Sequence, residues 1–138
     1  VRPMREQTRS EVRMAQISAL AVSELVRVDN RRVADIVAEL GETAAQHVIG
    51  LALEQLATAL TAVDAALDRR DLAQAMAHAE RMSRLAWQIG LLSLAGVAMD
   101  LGSTAERGDH AALAAIRARL MRVGNRSLTA IWDRTALA

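Results

Sequence analysis

The sequence predicts an all-α fold, an antiparallel four-helix bundle with an additional N-terminal helix, from three observations. First, hydrophobic residues make up 52% of the 138-residue chain, and they are mostly Ala, Leu, Val and Ile. Ala and Leu lose little side-chain freedom in a helix, so they favour it. Second, Phe and Tyr are absent, and Trp87 and Trp132 are the two aromatic residues. A β-protein of this size needs more aromatic residues and more turns. Third, apolar residues recur at steps of three and four along most of the chain, which places them on one face of a helix.

Each element follows from its own residues. Positions 1–9 are polar. From Ser10 to Val28, the residues Met14, Ile17, Ala21, Leu25 and Val28 keep helical spacing and predict a first helix. Asp29 and Asn30 offer caps to a short helix with Val33, Ile36, Val37 and Leu40 inside, and Gly41 ends it. Thr43 and Gln46 have the spacing of a capping box for the next helix. Its stripe is the clearest: Ile49, Leu53, Leu56, Leu60, Val63 and Leu67. That helix ends near Asp68-Arg69-Arg70. Asp71, with Gln74 three residues on, caps a helix whose inner face is Leu72, Met76, Ala79, Met82, Ala86 and Ile89. Gly90 breaks it.

A helix from about Leu91 to Ala105 then uses Leu94, Val97, Ala98 and Leu101. Gly96 and Gly102 either weaken it or let a neighbour pack closely. Gly108-Asp109 stops one helix and caps the last, which carries Leu113, Ile116, Leu120, Val123, Ser127 and Ile131. Met14, Met76, Met82, Met99 and Met121 are expected to fill gaps in the core. Short connections make successive helices antiparallel. Residues 1–28 are thus expected to form an N-terminal extension with an extra helix, and residues 29–138 the bundle.

Composition also bears on function. The formal net charge is +1, and all 17 basic residues are Arg. The absence of Lys points to a coding bias. Near-neutral charge argues against nucleic acid as a partner. The absence of Cys excludes a disulfide framework and thiol chemistry. No uninterrupted apolar run reaches the roughly 20 residues that span a bilayer. Arg2, Arg5, Arg9, Glu11 and Arg13 do not suit a signal peptide. The expectation is a cytoplasmic protein with no membrane contact. There is no Gly-rich phosphate loop, no metal-ligand spacing and no Ser/His/Asp set, so neither cofactor, metal nor enzyme activity is expected.

Several segments in order carry a resemblance. They are a short helix ending in Leu40-Gly41-Glu42, a long helix, Asp71-Leu72, the run from Ala77 to Gly90, and Arg107-Gly108-Asp109. Over about residues 29–132 the chain resembles the histidine-containing phosphotransfer (HPt) domains of bacterial two-component signalling, four-helix bundles that relay phosphoryl groups. The active segment of that family reads His-x-Leu-Lys-Gly-x-Ala/Ser-x-x-x-Gly. Anchored on Gly90, it places Ala86 on the small residue and Met82 on the Leu. Glu80 then stands at the phosphoacceptor position, Ser83 replaces the Lys and Arg84 the first Gly. The resemblance implies a degenerate member, because a carboxylate cannot replace the imidazole nucleophile of a phosphorelay.

Glu80, Arg84 and Trp87 share one helical flank at i, i+4 and i+7, and Arg81 and Gln88 extend it. These five residues are the candidate contact face for a protein partner, namely a receiver domain or a histidine kinase. Trp and Arg are favoured interface anchors. The plainer alternative is a surface ion pair beside a boundary Trp. His78 is the alternative phosphoacceptor, in a shifted register. It lies about 200° round the helix from Glu80, on the opposite flank. His47 and His110 read as polar surface residues. Arg117, Arg119 and Arg122 read as a solvated basic face, with attraction of phosphate or an acidic partner as the alternative. A third possibility is an oligomerisation module, a homodimer that buries an apolar stripe of the long helix or of residues 10–28.

Overall fold

The computed structural model describes residues 25–136, which form a bundle of five helices with no strand among them. They are α1 (Asn30–Leu40), α2 (Glu42–Asp68), α3 (Leu72–Gln88), α4 (Leu92–Arg107) and α5 (His110–Ala136). Around the bundle, α2 packs on α3, α3 on α4, α4 on α5, and α5 returns to α2. α1 packs on α2. The shared core takes Leu53, Leu56, Leu60 and Val63 from α2, Ala79 and Met82 from α3, Leu94 and Leu101 from α4, and Leu120 and Ile131 from α5.

Most sequence signals act where expected. Asp29 caps α1, its carboxylate accepting from the amides of Arg31 and Arg32. The Asp71 carboxylate accepts from Gln74 N at 3.1 Å, and that of Asp109 from Ala112 N at 3.1 Å. Each bond satisfies an amide that the first turn leaves without a partner. Gly108 ends α4 in the left-handed region. α2 ends the same way on Arg70, at φ +58°.

The structure corrects several expectations. The first predicted helix lies outside the described residues up to position 24, and its last part is not helical. Residues 25–29 run outside any helix, and Val28 bridges antiparallel to Leu91. Ser93 Oγ accepts from Arg27 N at 2.7 Å, and Arg27 O accepts from Leu92 N at 3.1 Å. These bonds tie the segment to the α3–α4 turn and outweigh its helical spacing. Leu25 is 87% exposed, so it never joins the stripe. The capping box at Thr43 does not form, because Gly41 at φ +82°, two residues earlier, takes the N-cap position of α2, with no side-chain cap. Leu40 and Met99 are exposed rather than buried.

By length and composition α2 is also long and apolar enough to cross a membrane, although its inner stripe closes the bundle core.

Gly96 and Gly102 do not serve close packing, since a Cβ on either meets nothing within 4 Å. Each therefore carries the entropic cost of a helical glycine with no packing return. Gly96→Ala and Gly102→Ala are each expected to raise stability by about 0.5–1 kcal/mol. Urea unfolding of the two variants checks this.

Candidate functional site

The site is built on α3. The inner face of this helix is small: Ala75, Ala79 and Ala86 are fully buried, and Met82 is the large fully buried side chain among them. That seats α3 deep between α2 and α4. At 100° per residue, burying this stripe turns Glu80, Arg84 and Trp87 outward.

All five residues of the candidate face are exposed. Arg84 Nη1 lies 2.7 Å from Glu80 Oε1 across one turn. Trp87 continues that flank and is 66% exposed. An indole left this open contributes little to the core and offers a flat apolar surface to a partner. Arg81 stands toward α2, and Gln88 stands at the helix end. The backbone carbonyl of Gln88 accepts from Arg32 Nε at 2.8 Å, so α1 holds the end of α3 in place.

The α3–α4 turn fixes this end further. Asp29 N donates to Gly90 O at 2.7 Å, Gly90 N to Trp87 O at 3.2 Å and Leu91 N to Ala86 O at 2.8 Å. Trp87 therefore sits on a terminus tied at several points.

Lower on α3, Ser83 Oγ donates to Ala95 O at 3.1 Å, which sets the register of α3 against α4. In that antiparallel register Met99 stands level with Ala79 and Glu80. Met99 is 63% exposed. Reading every Met as core filling therefore fails at this position. No sequence signal marks it except its offset from the stripe of Leu94, Val97, Ala98 and Leu101.

His78 is half-buried and points away from this face. It lines a shallow hollow between α2 and α3 with Glu54, Gln55, Thr58 and Arg81. His47 and His110 are exposed, on α2 and at the first position of α5.

Of the basic residues on α5, Arg117 is not a solvated cation. Its Nε donates to Asp64 Oδ1 at 2.8 Å, and its Nη2 donates to Asp64 O at 3.1 Å and to Asp68 Oδ1 at 2.6 Å. The hydrogen bonds to Asp68 and Asp64 push its already high pKa further up. Arg117 clamps α5 to α2 and is engaged within the chain.

Among the described residues, no group of three or more His, Cys, Asp or Glu side chains is placed to hold a metal ion. No family model, curated protein or solved structure matches this chain.

Proposed function

We propose that this chain is a non-catalytic, HPt-like adaptor that docks a two-component partner, a receiver domain first of all, through the outer face of α3. One observation carries the reading: an exposed Trp87 beside the exposed Glu80–Arg84 ion pair, at the helix position where the resemblance puts phosphotransfer chemistry. The antiparallel order of α2 to α5, with α1 bound to the end of α3, supports the HPt-type reading of the bundle.

The chemistry of the face suits binding rather than transfer. The Glu80 carboxylate offers one negative charge where a phosphorylated imidazole would carry more. The Arg84 guanidinium fills the place that a glycine leaves open to a partner's loop, and its planar fork suits an acidic partner.

Binding of the full chain to a panel of phosphorylated and unphosphorylated receivers tests the proposal, with phosphosite mapping on the same samples. Trp87→Ala is expected to weaken a bound receiver by about 30-fold or more, as central aromatic anchors do. Arg84→Ala should also weaken it. Neither change should shift the unfolding midpoint much, because an exposed i, i+4 pair contributes only about 0.3–0.5 kcal/mol. A receiver that binds these variants as tightly as the wild type removes the site. Acid-labile label on His78 that is lost in His78→Gln replaces the adaptor with an active relay protein.

A further inference from the structure

Where α2 stops and α3 and α5 begin, the three helices leave a hollow of about 430 Å³. Small-molecule sites of this size pair an apolar lining with a few placed polar groups. Here each helix supplies one leucine: Leu67 from α2, Leu72 from α3 and Leu113 from α5. Leu67 and Leu113 are buried and make the floor, and Leu72 is half-buried. The ionisable side chains that line the hollow are Arg70, His110 and Arg117, and no carboxylate joins them. Arg70 and His110 are exposed, and neither has a hydrogen-bond or ion-pair partner among the described residues. Arg117 uses Nε and Nη2 to hold Asp64 and Asp68, which leaves Nη1 outside that clamp. The carboxylates at this end are committed elsewhere: Asp64 and Asp68 to Arg117, Asp71 and Asp109 to the first turns of α3 and α5. Arg70 also stands where a helix usually ends on glycine, because its φ of +58° disfavours an L side chain. A cation thus lines the hollow from a backbone position that glycine fills more easily.

We infer that this hollow binds a small amphipathic anion, a carboxylate on a short alkyl chain or a single ring. The apolar body lies on Leu67, Leu72 and Leu113, and the carboxylate sits among Arg70, His110 and Arg117. An arginine fork suits a carboxylate, and such charge-assisted bonds are the strong ones. A single negative charge suits this rim better than the two of a phosphate, because Asp64 and Asp68 already balance Arg117. A ligand without charge leaves the cations unused, and a cationic one is repelled by them. The clamp from Arg117 to α2 holds the walls in place before any ligand arrives, so little ordering opposes binding.

The inference stands apart from the receiver-binding proposal. At about 1.5 Å per residue, Leu72 lies roughly 22 Å along α3 from Trp87. The test needs no receiver. Octanoate titrated into the full chain, labelled with nitrogen-15, should give saturable amide shifts confined to residues 67–72 and 110–117. Its affinity should be in the millimolar range or tighter. Acetate, which lacks the apolar body, and octylammonium, which reverses the charge, should each bind at least about tenfold more weakly. Arg70→Gly should weaken octanoate about tenfold, the size expected for one hydrogen bond to a charged group. The same change should not lower the urea midpoint, because glycine suits φ +58°. Binding and folding are thereby read separately. Octanoate shifts that never saturate, or that spread over the whole chain, overturn the inference. So does acetate or octylammonium binding as tightly as octanoate, or a folded Arg70→Gly chain with unchanged affinity.

Discussion

Gly90→Ala is expected to cost about 2–4 kcal/mol of folding stability, a large effect for the addition of one methyl group. Two independent terms add. The residue has φ +83°, a backbone conformation that L side chains rarely adopt, and forcing alanine into it costs about 1–2 kcal/mol. The second term is contact. A Cβ here would stand 2.9 Å from the carbonyl oxygen of Asp29 and 3.2 Å from Arg32 Cβ. The nearest obstacle is backbone, which cannot turn aside like the end of a side chain. Moving Asp29 loosens the α1 cap, the 2.7 Å bond from Asp29 N to Gly90 O, and the Arg32 grip on Gln88 O.

Gly108→Ala separates the two terms. Gly108 also has positive φ, at +67°, but its Cβ would meet nothing within 4 Å. It should therefore cost only the backbone term of about 1–2 kcal/mol. Urea unfolding of both variants checks the difference. If Gly90→Ala proves no worse than Gly108→Ala, α1 does not bear on the α3–α4 turn as described.

The bundle was legible because its signals are local. The stripe of α2 needs only 3.6-residue periodicity, and the caps at Asp71 and Asp109 need only the residues beside them. Residues 25–29 were misread for the opposite reason. Leu25 and Val28 continue a helical period, but Arg27 bonds to Ser93, 66 positions away, and no pattern within the segment announces that. Arg117 was read as solvated for the same cause, since Asp64 lies 53 positions away.

The candidate face was legible as a geometric set. Glu80, Arg84 and Trp87 follow from 100° per residue alone. What surrounds them was not, because it depends on the neighbouring helix. The level of Met99 along α3, for example, depends on the α3–α4 register that Ser83 and Ala95 fix. The glycines divide in the same way. Gly90 breaks the helix as expected and is also a contact point, while Gly96, which could either weaken its helix or allow close packing, faces open space.

Met82→Ala is expected to destabilise the protein by about 2–5 kcal/mol, more than any change on the exposed face. The side chain is fully buried, and the inner positions on either side of it along α3 are Ala79 and Ala86. Alanines cannot reorient to fill the space, so the cavity persists and its cost adds to the lost transfer free energy. Met82→Leu keeps most of the volume and should cost less than about 1.5 kcal/mol. The contrast bears on function as well as stability. Met82 lies two positions from both Glu80 and Arg84, and its burial turns those residues outward. Met82→Ala should therefore weaken receiver binding under conditions where the variant is still folded, although Met82 touches no partner, while Met82→Leu should bind as the wild type does. Urea unfolding with receiver binding on the same preparations reads both effects. If Met82→Ala loses stability but keeps full affinity in its folded fraction, the face does not depend on how firmly α3 is seated.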